Sequence, residues 1–153
     1  MLKAGEMVPE FAAESDGGVR VTDADLRGAR AVVYFYPKDD TPGCTTEAKD
    51  FTAKKAEFEA LGVRVFGVSK DTVASHCRFR DKHGLAVTLL SDPSLAMQRA
   101  FGAFGEKLMY GKKVEGTIRS TFVVGPDGRV THVWPTVKVA GHVDAVLAAL
   151  RAG

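Results

Sequence analysis

Apolar residues fall into short dense runs separated by polar stretches that carry glycine and proline. "FAAES" and "VRVT", joined by Asp16-Gly17-Gly18, predict a small N-terminal β-hairpin. "ARAVVYFY" (29–36) is nearly continuous in apolar character and stops at Pro37, the pattern of a strand buried on both faces. The period then changes. From about Thr45 to Leu61, Ala48, Phe51, Lys55 and Phe58 recur at steps of three and four, which predicts a helix closed by Gly62. "VRVFGVS" (63–69) reads as a second buried strand, followed by a helix from about Thr72 to His83 that ends at Gly84. "AVTLLSD" (86–92) carries a short strand and "PSLAMQRAF" (93–101) a short helix. "GAFGEK" reads as a loop and lacks the strand-to-helix context of a nucleotide-binding glycine motif. "TIRSTFVVG" (117–125), "PDG" and "RVTHVWP" (129–135) predict a hairpin, and "GHVDAVLAALRAG" an amphipathic C-terminal helix.

Strand–helix–strand units that finish in a hairpin and a helix predict an α/β fold with a mixed central sheet flanked by helices. A thioredoxin-like fold with an added N-terminal β-hairpin fits that order. No repeat or linker divides the chain, so one domain is expected over residues 1–153.

Composition narrows the partners. The chain has 21 basic and 19 acidic residues, a balance that gives no reason to expect nucleic acid or an acidic membrane surface. The N-terminus has no apolar signal region, and no apolar run approaches the ~18 residues of a membrane span. The expected location is the cytoplasm, where two cysteines stay reduced and more often do redox chemistry than form a staple.

The first of them, Cys44, follows Thr41-Pro42-Gly43 at the start of the predicted helix. Unpaired amides and the positive end of the helix dipole at that place favour a thiolate. A small buried hydrophobe is the competing reading. Thioredoxin-type exchange needs a second thiol within about one turn, and Thr41 stands there instead. Peroxide reduction needs only one attacking thiolate, together with donors that stabilise the leaving oxygen. An arginine can serve both needs. Alternation in "TIRSTFVV" puts Thr117, Arg119, Thr121 and Val123 on one face, so Arg119 is either a solvated sheet residue or a cation turned toward the site. Arg78, Arg80 and Arg99 read as surface charges, and Asp39-Asp40 as a solvated pair beside the loop.

"YFYPKDDTPGCTTEAKDF", with Pro37, Thr41 and Cys44 in a P-x-x-x-T-x-x-C pattern, resembles the active-site segment of peroxiredoxins. "LKAGEMVPEF", "LLSD" and "IRSTFVVGPDGRVTHVW" resemble the peroxiredoxin Q branch, also called bacterioferritin comigratory protein. The resemblance implies thiol-dependent reduction of hydrogen peroxide and organic hydroperoxides, with no cofactor or metal. It makes Cys44 the peroxidatic cysteine, Thr41 a hydrogen-bond donor to the peroxide and Pro37 a shield for the thiolate. Arg119 becomes the family's strand arginine, and Glu47 the group that helps hold it. Many members of the branch place a resolving cysteine five residues after the first, where this chain has Lys49. Others place it on the next helix, which here carries Cys77.

The resemblance further implies recycling by thioredoxin or a similar dithiol, and a monomer or weak homodimer. Two alternatives stay open: a one-cysteine peroxidase resolved by an external thiol with Cys77 structural, and a thioredoxin-like binding module without turnover.

Overall fold

The computed structural model describes residues 1–153. The N-terminal hairpin forms as its pattern predicts, from β1 (Ala12–Ser15) and β2 (Arg20–Thr22). A single 3-10 turn, Asp23–Leu26, leads to β3 (Ala31–Phe35), which is buried along its whole length. Next come α1 (Pro42–Ala53), α2 (Lys55–Ala60), β4 (Arg64–Ser69), α3 (Val73–His83), β5 (Thr88–Ser91) and α4 (Ala96–Phe101). The chain closes with β6 (Phe104–Met109), β7 (Lys112–Thr117), β8 (Ser120–Val124), β9 (Val130–Trp134) and α5 (His142–Ala152). None of these helices is long and apolar enough to cross a membrane.

Seven strands form the main sheet in the order β2-β1-β5-β4-β3-β8-β9. β3, β4 and β5 are parallel neighbours, while β8 and β9 on one side and β1 and β2 on the other run antiparallel. The mixed thioredoxin-like sheet flanked by helices is therefore present. Two-residue alternation along β3 sorts its side chains between two cores. Val33 and Phe35 join Phe66, Leu90, Phe101 and Phe122 on one face. Val32 and Tyr34 join Phe51, Phe79, Val123 and Leu147 on the other, beneath α1, α3 and α5. Burial on both faces explains why the sequence of β3 shows no polar alternation.

Three expectations shift. The helix expected over 45–61 begins earlier, with Pro42 at its first turn, because a proline lacks the N–H that this position would leave unpaired. It breaks at Lys54 (φ −102°, ψ 13°) and resumes as α2. "GAFGEK" is not a loop. Phe104–Met109 is a strand that pairs with β7 in a separate two-stranded sheet, turning through Tyr110 and Gly111, both at positive φ. Arg119 lies outside any strand, in the two-residue link between β7 and β8.

Gly67 of β4 leaves room for a side chain of the neighbouring strand. Tyr34, its register partner on β3, lays its ring where a Cβ would stand, 2.7 Å from the ring's far end. That ring also stacks on Phe51 of α1 at 4.6 Å. Gly67→Ala is expected to lower stability by about 1–3 kcal/mol through overpacking. An unchanged urea midpoint would show that the contact has room to yield.

Candidate active site

Cys44 is the third residue of α1, after the extended N-cap Thr41 (φ −93°, ψ 154°). The first intrahelical bond runs from the Thr45 amide to the Thr41 carbonyl at 2.8 Å. The Gly43 and Cys44 amides precede it and so have no partner within the helix. Cys44 is almost fully buried, with its side chain in the core beneath α1. The Thr41 hydroxyl donates to the Lys38 carbonyl at 2.8 Å. Its hydrogen is therefore committed, and the oxygen offers lone pairs rather than the donor that the sequence led us to expect.

Arg119 completes the geometry. One guanidinium nitrogen donates to Cys44 Sγ at 3.2 Å and the other to Glu47 Oε1 at 2.8 Å. Cys44 and Glu47 share a helix face because they are three residues apart. Gly43 makes room: a Cβ there would stand 3.3 Å from the guanidinium. Backbone bonds fix the arginine's base, since the Ile118 amide donates to the Ala103 carbonyl and the Val137 amide to the Arg119 carbonyl. The reading of Arg119 as a solvated sheet residue is thereby overturned. Its side chain is only 20% exposed, and Glu47 is wholly buried.

Burial governs the electrostatics. It pushes the Glu47 carboxyl up to about 7 against the opposing pull of Arg119. Glu47 Oε2 has no hydrogen-bond partner, and neither does the buried Tyr34 hydroxyl. His142, at the start of α5, bonds Thr121 Oγ1 at 2.8 Å. Burial first, and then Arg119, push it down to about 4, so this imidazole is neutral near pH 7. Lys107 of β6 donates to the Thr117 carbonyl at 2.8 Å, and burial first, then the nearby Arg119, lower its amine below the usual range. Neither His142 nor Lys107 stands out in the sequence, because no local pattern ties them to Cys44.

Other expectations are redrawn. Pro37 sits in the loop between β3 and α1, as read. Asp39 is not solvated: it is buried against α3, while Asp40 stays exposed. Cys77 is half-buried on α3, and its Sγ donates to the Asp16 carbonyl at 3.2 Å. Arg80 is not a free surface charge, since it pairs with Asp16 at 3.1 Å. Arg99 lies over the Phe104 ring. The structure thus brings Cys44, Glu47 and Arg119 into direct contact and leaves Cys77 with separate partners.

A thioredoxin-type sheet, a buried thiol at a helix N-terminus and a guanidinium on its sulfur together define a thiol peroxidase. Residues 4–133 match the AhpC/TSA family, and the chain belongs to it. Within that family the similarity is to the peroxiredoxin Q, or Bcp, branch. Peroxiredoxin Bcp of Xanthomonas campestris pv. campestris is 53% identical over 89% of this chain and 85% of its own. Peroxiredoxin Bcp of Escherichia coli K12 is 40% identical over 95% of this chain and 94% of its own. The solved bacterioferritin comigratory protein of Xanthomonas campestris, described for its alkyl peroxide reduction activity, superposes with a TM-score of 0.91 at 47% identity. That match covers 98% of both chains.

The raised Glu47 carboxyl makes stability depend on pH. Its ordinary value is 4.5, so between about 4.5 and 7 the folded state keeps a proton that the unfolded chain has lost. The contribution of Glu47 to stability is therefore largest below 4.5 and is lost as pH rises through 7. Glu47→Gln is expected to remove a decline of about 3 kcal/mol between acidic and alkaline pH. Urea titrations of both proteins at pH 5 and pH 8 measure it, and parallel losses would contradict the assignment.

Proposed function

We propose that Cys44 is the peroxidatic residue of an enzyme that reduces hydrogen peroxide and organic hydroperoxides. The observation that carries this is the Arg119 guanidinium shared between Cys44 Sγ and Glu47. A cation held there stabilises negative charge on sulfur and on the oxygen that leaves. The Cys44 thiolate attacks the terminal peroxide oxygen and the O–O bond breaks. Sulfur keeps that oxygen as sulfenic acid, while the departing oxide takes up a proton to give water or an alcohol. Thr41 accepts a hydrogen bond from the bound peroxide's O–H, since its own hydrogen goes to Lys38. Pro37 walls the loop, and Glu47 holds Arg119 in place.

Cys77 then condenses with the sulfenic acid, giving an intramolecular disulfide and water. Cys44 follows β3, whereas α3 packs on β5, two strands away in the sheet. Two strand spacings amount to about 10 Å, more than the ~7 Å that a disulfide allows between Cα atoms. The first turn of α1 and the helix around Cys77 therefore unwind locally before the bond forms. Thioredoxin or a similar dithiol reduces the disulfide by exchange. This cycle suits a cytoplasmic protein whose whole chain, 1–153, works as one domain. Resemblance to the branch supports a monomer or weak homodimer.

Cys44→Ser is expected to abolish peroxidase turnover. Cys77→Ser is expected to keep the first reaction with peroxide and lose turnover supported by a thioredoxin-type reductant. Non-reducing peptide mapping after one equivalent of peroxide should find a Cys44–Cys77 link. A lasting sulfenic acid or an external mixed disulfide would assign Cys77 a structural role instead.

A further inference from the structure

Away from the Cys44 sulfur, a dense set of polar contacts joins the β3–α1 loop to α3. Asp39 and Asp40 are adjacent but serve opposite ends of that helix. Asp40 takes a left-handed φ of 59°, sparsely populated by residues other than glycine. Its carboxylate meets Lys82 Nζ at 2.6 Å and His83 Nε2 at 2.8 Å, in the last turn of α3. The Asp39 carboxylate turns inward to the first turn. It accepts from the Tyr36 hydroxyl at 2.6 Å and the Ser75 hydroxyl at 2.8 Å, and it meets His76 Nδ1 at 2.7 Å. The Asp39 amide donates to Asp71 Oδ2 at 2.9 Å, a carboxylate that also accepts from Ser69. The loop bearing Pro37 and Thr41 thus grips α3 at both ends, and Cys77 lies between the grips.

Both ring nitrogens of His76 face oxygen atoms. Nε2 lies 3.0 Å from the Leu90 carbonyl and Nδ1 2.7 Å from Asp39 Oδ2. His76 is fully buried and the Asp39 side chain only 4% exposed, so water does not weaken this charge-assisted bond.

We propose that Asp39 and His76 form a latch between the peroxide-binding loop and α3, and that its opening sets the fate of the sulfenic acid. The proposal rests on the reading of Cys44 and Cys77 given above. Closed, the latch holds Thr41 and Pro37 in place and keeps Cys77 in its helix against the Asp16 carbonyl. A sulfenic acid in that state meets only further peroxide. Cys44–SOH and H2O2 then give the sulfinic acid and water, two electrons passing from sulfur to peroxide. Open, the latch frees Cys77, and Cys44–SOH with Cys77–SH gives the disulfide and water. Asp39 and His76 touch neither peroxide nor sulfur, so they are positioning residues.

Asp39→Asn tests the latch in the full chain, because it keeps the size of the side chain while removing the charge and turning one acceptor oxygen into an N–H donor. Ser75→Ala is a milder second variant that deletes one bond to the same carboxylate. Rapid-quench peptide mapping gives the rate of disulfide formation, and intact mass gives sulfinic acid per turnover. Asp39→Asn is expected to speed disulfide formation about fivefold and cut sulfinic acid in proportion, as a charge-assisted bond becomes a neutral one. Ser75→Ala should move both readouts the same way by a smaller factor. Reaction of Cys44 with peroxide should slow in Asp39→Asn as Thr41 loses its fixed position. Lower stability with an unchanged partition between disulfide and sulfinic acid overturns the latch, and Ser75→Ala decides if Asp39→Asn does not fold. If the wild type forms sulfenic acid but never links to Cys77, the resolving role fails first and the latch falls with it.

Discussion

One partly buried guanidinium organises this molecule. Arg119 reaches Cys44 across 75 residues of sequence and Glu47 across 72. That meeting depends on the antiparallel register of β3 and β8, in which Phe35 opposes Ser120 and Ala31 opposes Val124. The register places Arg119 just beyond the end of the paired strands, beside the loop from which α1 starts. A slip by one residue would turn Thr121 and Val123 into the opposite core and carry Arg119 away from the sulfur. Strand pairing is therefore part of the site's chemistry.

The sequence makes the elements with strong periodicity legible. β3 and β4 are apolar enough, and the β8–β9 hairpin has a clear Pro-Asp-Gly turn, for their places to be read directly. The helix start at Cys44 is legible because proline and glycine punctuate it. The β6–β7 hairpin escapes notice because half the residues of its strands, "FGEKLM" and "KKVEGT", are exposed and only Thr117 is buried, so no apolar alternation marks them. Side-chain partnerships are harder still. Arg119 looks solvated until the pairing of β8 with β3 carries it to Cys44 and Glu47 of α1, and Asp39 looks solvated until α3 folds over it. Nothing within several residues of either position records those long-range contacts.

Stability and chemistry pull against each other around Cys44. Two polar groups close to it, Glu47 Oε2 and the Tyr34 hydroxyl, are buried without partners. Each such group costs on the order of 1–3 kcal/mol in a protein interior. The Glu47–Arg119 pair adds the cost of withdrawing two charges from water, so its presence is weak evidence of net stabilisation. What the pair does supply is a fixed direction for the guanidinium. Without Glu47, Arg119 could swing toward solvent and leave the sulfur.

The charge balance at the sulfur follows from burial acting on neighbours of opposite type. Burial makes Glu47 a weaker acid, up to about 7, and His142 a weaker base, down to about 4. Near neutral pH, therefore, His142 adds no positive charge and Glu47 carries only part of its negative charge. A fully ionised Glu47 would hold more of that cation's field to itself, because Glu47 Oε1 and Cys44 Sγ lie on one guanidinium. Partial protonation leaves more of the Arg119 field directed at Cys44. The low-dielectric surroundings that make the carboxylate costly also strengthen that field. Desolvation thus weakens the competitor and strengthens the interaction between Arg119 and sulfur at once. A solvated arginine at the same distance would offer the thiol far less.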